Sequence, residues 1–270
     1  MEIIDYNDID FKKINKFDHQ GNSSELYENN GELIKIFRGY SDHECLRLFK
    51  KIQDMENIKI DGIIKPNKFI VRNYIRYGEE KKEIKGYVMD KFYNSESVND
   101  HFGYIRSYNC SDLFKVLKNA SLILQNIHNN DIICQDISFF NILVDKDDYD
   151  NVKICDLDAC SFKKYNSAIV SYDLSYYYNY ILDERFVPST KNSDKLSMIL
   201  SLLYLLFSKD IDLISDNNYE SLSSKINTLK NLKDYFISLK NGKFNLHYDE
   251  LPYLHELIDD SDNYVLENKF

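Results

Sequence analysis

Three polar residues near the middle of the chain have the types and spacing for chemistry. In CQDISFFNILVDKDDYDNVKICDLDACSF, residues 134–162, Asp136 is followed five places on by Asn141, which opens onto the apolar triplet ILV. An acid-rich turn, DKDDYDN, comes next, and then VKIC, a run that ends on Asp156. Both apolar runs are short and bounded by turn residues, so they read as a paired hairpin. In an antiparallel hairpin the start of one strand lies beside the end of the other, and the three polar side chains gather at one end. Two oxygen ligands and a third acid suit a Mg2+-bound phosphate, because Mg2+ takes few protein ligands and keeps water and phosphate oxygens for the rest.

The elements that must hold this hairpin fall into two textures. Up to about residue 90 the chain reads as short strands around one helix. FKKINKF (11–17), SELYE (24–28) and ELIKIF (32–37) are brief runs divided by the polar turns QGNSS and NNG, as in consecutive antiparallel strands. SDHECLRLFKKIQDM (41–55) predicts a helix with Ser41 as N-cap and Leu46, Phe49 and Ile52 on its apolar face. KFIVRN and KGYVMDKF follow as two further strands. Beyond residue 95 the pattern is helical. SDLFKVLKNASLILQNIHNN (111–130) has a broad apolar face with Ser111 as cap, and SDKLSMILSLLYLLF (193–207) is apolar nearly all round, the mark of a helix buried at the centre of its unit. ESLSSKINTLKNLKDYFISLK and the region of ELPYLHELI read as surface helices.

Composition bounds the functions. With 270 residues, 43% of them hydrophobic, the chain can build an ample core, as one large domain or two small ones. The formal net charge of -10 argues against a nucleic-acid partner, since phosphate contacts need clustered Lys and Arg. The acidic start MEIIDYNDIDFKK lacks the apolar stretch of a signal peptide, and LSMILSLLYLLF is too short to cross a bilayer, so the expectation is a cytoplasmic protein with no membrane partner. Five cysteines, odd in number and without a C-x-x-C pair, point to free thiols rather than zinc or disulfides. DKDDYDN does not fit a calcium loop, since position six is Asp150 rather than Gly and position twelve Asp156 rather than Glu.

At this point the chain resembles the protein-kinase-like superfamily. CQDISFFN (134–141) is similar to the catalytic loop H-R-D-x-x-x-x-N, and DLD (156–158) to D-F-G. LIKIF matches V-A-I-K, GYVMDKF looks like the strand entering the hinge, and SDKLSMILSLLYLLF resembles the family's central helix. Matches in this order span nearly the whole chain. The resemblance implies an α+β, bilobal kinase-like fold in a single domain, 1–270: a small antiparallel-sheet N-lobe (1–88), a hinge (89–94) and a helical C-lobe (95–270). The implied cofactors are ATP and Mg2+. It implies Lys35 as the residue gripping the phosphates, Glu44 as its partner ahead of Asp54 and Glu56, and Gly21, Ser23 and Ser24 in the loop covering the phosphates. Met89 stands at the gatekeeper position, with adenine held by the backbone of Asp90 and Phe92. Asn141 and Asp156 are the implied Mg2+ ligands, Asp136 orients the acceptor hydroxyl, and Asp194 buttresses the catalytic loop.

Departures from the pattern shape the rest. The glycine-rich loop is reduced to GNSSELY, Gln135 replaces the arginine before the catalytic aspartate, Ser138 replaces a lysine, Asp158 replaces the glycine of D-F-G, and A-P-E is absent, FVPS (186–189) holding the nearest proline. His128 reads as a packing residue at a helix end. The tyrosine-rich stretch SYDLSYYYNY (171–180) reads as packing, given 22 tyrosines in the chain. The expected activity is that of a Ser/Thr protein kinase, with a protein substrate placed ahead of a small molecule. The alternatives are an aminoglycoside-type small-molecule phosphotransferase and a pseudokinase that binds partners without catalysis.

Overall fold

The computed structural model describes residues 1–17, 24–38, 40–103, 107–165, 190–207, 217–241 and 249–267. It is a mixed α+β structure that divides into two compact units, Met1–Lys59 with Ile64–Tyr93, and Ile60–Ile63 with Asn94–Phe270. Residues 60–63, expected with the N-terminal part, thus belong to the second unit. There Gly62 accepts the N–H of Ile154 at 2.8 Å, and Ile63 bridges to the same residue.

The first unit holds β1 (Glu2–Asp5), β2 (Asn15–Lys16), β3 (Ser24–Asn29), β4 (Glu32–Phe37), α1 (Asp42–Met55), β5 (Pro66–Arg76) and β6 (Glu79–Asp90). They form one six-stranded sheet in the order β1-β5-β6-β4-β3-β2. The sheet is not purely antiparallel as the sequence suggested, because β1 pairs parallel with β5, Glu2 to Asp5 against Lys68 to Val71. The strand expected over 11–17 shrinks to β2; Phe11 and Ile14 instead pack on the sheet together with Ile4, Tyr6 and Ile9. Their target is a core of Tyr27, Ile34, Ile36, Ile70 and Val88. Asn30 and Gly31 turn β3 into β4 with φ of 48° and 88°, the signature of the tight turn whose twist matches paired strands.

Alternation along β4 and β6 sets Lys35, Phe37, Tyr87 and Met89 on the other face from Ile34, Ile36 and Val88. That other face is covered by α1, whose Phe49 ring lies 4.3 Å from Phe69 of β5. The buried side of α1 is Cys45, Leu48, Lys51, Ile52 and Met55, so the helix is rotated from the expected one and Leu46 is exposed. Ser41 caps it as expected.

The second unit holds β7 (Ser95–Ser97), α2 (Val98–Gly103), β8 (Ser107–Asn109), α3 (Cys110–Asn129), β9 (Ile132–Ile133), β10 (Ile142–Asp145), β11 (Val152–Ile154) and β12 (Ser161–Phe162). Then come α4 (Lys191–Phe207), α5 (Asn217–Ser223), α6 (Asn227–Lys240), α7 (Leu254–Leu257) and β13 (Val265–Glu267). Helix α3 is capped by the side chain of Asn109, which accepts the Ser111 N–H, rather than by Ser111 itself. Its far end closes without glycine, Asp131 taking the left-handed conformation at φ 55°. As its all-round apolarity required, α4 is buried along nearly its whole length. The single surface run expected over 220–240 is two helices, because the buried carboxylate of Asp262 accepts the N–H groups of Asn227 and Thr228 and starts α6 there. Among the described residues no helix is long and apolar enough to cross a membrane.

Candidate active site

The hairpin of β10 and β11 pairs Ile142 with Ile154, Leu143 with Lys153 and Val144 with Val152. This register puts the residue before β10 beside the residue after β11. The N–H of Cys155 donates to the carbonyl of Asn141 at 3.0 Å, so Asn141 and Asp156 flank the same end of the hairpin. Asn141 Nδ2 donates to the carbonyl of Asp136 at 2.9 Å and to its carboxylate Oδ2 at 3.2 Å. Both partners are pure acceptors, which fixes the NH2 toward Asp136 and leaves Oδ1 as the atom a hard cation would take. Asp136, Asn141 and Asp156 are each half-buried. The sequence therefore located three residues that the fold does gather.

The backbone around them is held in unusual conformations. Gln135 and Asp156 have φ of 66° and 62°, in the left-handed region that non-glycine residues seldom enter. Such residues cost about 1–3 kcal/mol each and persist where the surroundings over-determine them. For Gln135 those surroundings are visible. The fully buried Asp194, in the first turn of α4, accepts the N–H of Cys134 at 2.6 Å and that of Gln135 at 2.8 Å. The Gln135 side chain donates to Ser161 Oγ at 2.5 Å, tying the loop to β12. Asp156 precedes the 3-10 turn Leu157–Ala159 and makes no side-chain cap to it, so turn capping does not account for this acid.

Asp194 is itself supported. His128 of α3 contacts it through Nε2 at 3.0 Å, and its Nδ1 lies 2.9 Å from the hydroxyl of Tyr253. His128 is thus a buried structural link rather than an acid or base facing solvent, and Tyr253, which gave no signal in the sequence, is the next member of the chain. Burial, and then the Asp194 charge, push the Cys134 thiol well above its ordinary range, so it stays protonated.

In the first unit Lys35 lies at the centre of β4, paired with Leu26 on one side and Tyr87 on the other. It is 5% exposed, and its Nζ stands 5.7 Å from the Tyr87 ring centre. Gly86 makes the close approach possible, since a Cβ there would come within 1.9 Å of the Lys35 carbonyl. Met89 is buried on the same face as Lys35, and Asp90 accepts from Asn67 Nδ2 at 2.9 Å. Phe92 is half-buried two residues past the end of β6. Ser24 is buried at the start of β3, while Gly21 and Ser23, like FVPS and the tyrosine-rich stretch, lie outside the described residues.

Glu44 does not serve as the partner of Lys35. It is exposed, and its carboxylate accepts the N–H of Ser41 at 2.8 Å and its hydroxyl at 2.6 Å, while Ser41 Oγ accepts the N–H of Glu44. This is the reciprocal cap of a helix N-terminus, and the S-x-x-E spelling of SDHE carried that signal in the sequence.

Among the described residues no three His, Cys, Asp or Glu side chains form a metal-ligating group. A metal at the hairpin end has to accept one carboxylate, Asp156, and one amide oxygen, Asn141. That donor set fits Mg2+, which completes its octahedron with water and phosphate, and does not fit zinc. No protein-family model matches the chain, and no curated protein matches it in sequence.

Proposed function

We propose that the chain is a Mg2+- and ATP-dependent phosphotransferase with a bilobal, protein-kinase-like fold, moving the γ-phosphate of ATP to a hydroxyl acceptor. The observation that carries this reading is the Asp136–Asn141 bond at the end of a hairpin that Asp156 leaves in a left-handed conformation. An acid that reaches an acceptor hydroxyl, and two oxygen donors for a hard cation, are the two needs of in-line phosphoryl transfer.

In this reading Asp136 orients the attacking hydroxyl and receives its proton. Asn141, by donating to the Asp136 carboxylate, holds that acid in one rotamer and offers its own Oδ1 to the metal together with Asp156. Bound Mg2+ would supply charge neutralisation to the phosphate oxygens. Lys35, rigid on β4, grips the phosphates, with adenine on the backbone of Asp90 and Phe92 and Met89 beneath. The contribution of the protein is positioning and electrostatics. A protein hydroxyl is the preferred acceptor. Among the described residues between Tyr93 and Cys134 the helices are the short α2 and the long α3, which leaves little chain for a dedicated small-molecule pocket.

The test is incubation of the purified protein with γ-labelled ATP and Mg2+, alone and with generic protein substrates. Label should appear on protein and be lost in Asp136→Asn. Absence of transfer to any acceptor, together with absence of ATP turnover, would refute the reading.

A further inference from the structure

Phe140 is the one large apolar side chain in the loop of Asp136 that the fold leaves in solvent. It is 58% exposed, while Ile137, Phe139 and Ile142 beside it are buried. A slack backbone is not the cause. The N–H of Asn141 donates to the carbonyl of Ser138 at 3.0 Å, closing a tight turn with Phe139 and Phe140 at its centre. The Phe139 carbonyl accepts the N–H of Asn99, in the first turn of α2, at 3.1 Å. Buried Ile137 and Phe139 anchor the turn, and the Asn141 side chain closes it onto the carbonyl of Asp136 at 2.9 Å. Phe140 is thus presented to solvent by the same turn that holds Asp136.

Single exposed apolar side chains are ordinary on a protein surface, and Ile75 and Tyr77 on the β5–β6 hairpin are of that kind. Phe140 differs in its place. It directly precedes Asn141, whose side chain donates to the Asp136 carboxylate at 3.2 Å. Consecutive Cα atoms are about 3.8 Å apart, and an extended chain advances about 3.3–3.6 Å per residue. A peptide whose hydroxyl meets Asp136 therefore brings its side chains a few residues away within range of Phe140. An aromatic ring offers a large apolar surface and no hydrogen-bonding group. It retains an apolar side chain and disfavours a charged one, which would lose water without gaining a partner.

We propose that Phe140 is the specificity-determining residue of the site, and that the acceptor is a peptide segment with an apolar side chain within about three residues of its hydroxyl. This rests on the reading that Asp136 serves an acceptor hydroxyl, and it names the class of acceptor. Contact with Phe140 adds binding away from the reacting atoms and fixes which hydroxyl of an extended chain stands at Asp136. Phe140 has no part in holding nucleotide or metal in this assignment, so its effect falls on the acceptor alone.

The test measures phosphoryl transfer from labelled ATP to serine peptides of one length, carrying Leu, Ala or Asp in turn at each position up to three residues from the serine. Wild type, Phe140→Ser and Phe140→Leu are compared as full chains. At one position at least, wild type should favour Leu over Ala by about tenfold in kcat/KM, through the KM for peptide, with Asp the poorest. Phe140→Ser should bring the Leu-to-Ala ratio close to one, Phe140→Leu should keep most of it, and the KM for ATP should be the same in all three. Because Phe140 lies on the surface, Phe140→Ser should melt near wild type, and the wild-type ranking needs no variant at all. An even ranking in wild type, a ratio that survives Phe140→Ser, or an equal loss on every peptide overturns the inference and leaves phosphotransfer standing. Transfer to small-molecule alcohols alone does the same. A wild-type protein that neither transfers label nor turns over ATP overturns both.

Discussion

Asp194 and Gln135, 59 residues apart in sequence, are joined by a hydrogen bond of 2.8 Å from the Gln135 N–H to the Asp194 carboxylate. The bond holds Gln135 in a left-handed conformation immediately before Asp136. The same carboxylate takes the N–H of Cys134 and meets His128, so one buried acid fixes where the loop of Asp136 begins. α4 and α3 thus place the loop, and on the proposed reading Asp136 is the residue left to act on the acceptor hydroxyl.

Replacing Asp194 with Ala strips buried donors of their acceptor, at about 1–3 kcal/mol for each group left unsatisfied. A fall in melting temperature of several degrees is expected, at roughly 2–4 °C per kcal/mol for a chain of this class. Glu80→Ala, on the exposed hairpin of β5 and β6, should stay near wild type. Equal melting temperatures for wild type and Asp194→Ala would contradict the buttress.

Acid should weaken the first unit through Glu25. The Lys16 ammonium 2.5 Å away and then the Arg38 guanidinium hold its carboxyl down to about 2. A folded-state value below the unfolded one, near 4.5, stabilises the fold above that pH, and the contribution drains away as pH falls toward 2. Lys16 lies on β2 and Glu25 on β3, so the pair clamps these two neighbouring strands together. Glu25→Gln should be less stable than wild type at pH 7, and the gap should close between about pH 4.5 and 2. Chemical denaturation across that range checks it, and a gap independent of pH would argue against the clamp.

Much of this was legible because it is local. The hairpin of β10 and β11 announces itself by two apolar runs around a polar turn, and antiparallel pairing then brings Asn141 beside Asp156 with no further information. The depth of α4 follows from apolarity on every side. What stayed hidden depends on long-range choices. The run 46–49–52 looked like the buried face of α1, but the sheet meets the face 45–48–52, which also carries Lys51 and Met55. Glu44 was read as an ion-pair partner for Lys35 because it lies on the helix that follows β4, although SDHE already spelled a helix cap. Strand β1 was hidden because a parallel edge strand has no hairpin to signal it, and the start of the chain is acidic. Tyr253 enters the His128–Asp194 cluster only through tertiary packing.

The most direct measurement is a thermal-shift comparison of wild type, Asp136→Asn and Asp156→Asn, each with ATP, with Mg2+ and with both. Asparagine tolerates the left-handed backbone at position 156, so the substitution tests the ligand and not the turn. Stabilisation follows RT ln(1 + [L]/Kd), about 2.7 kcal/mol at a hundredfold excess over Kd. Wild type and Asp136→Asn should both be stabilised by Mg2+-ATP, and Asp156→Asn much less, while phosphoryl transfer is lost in Asp136→Asn. A response of Asp156→Asn equal to wild type would contradict the metal assignment, and no response from any of the three would contradict nucleotide binding itself.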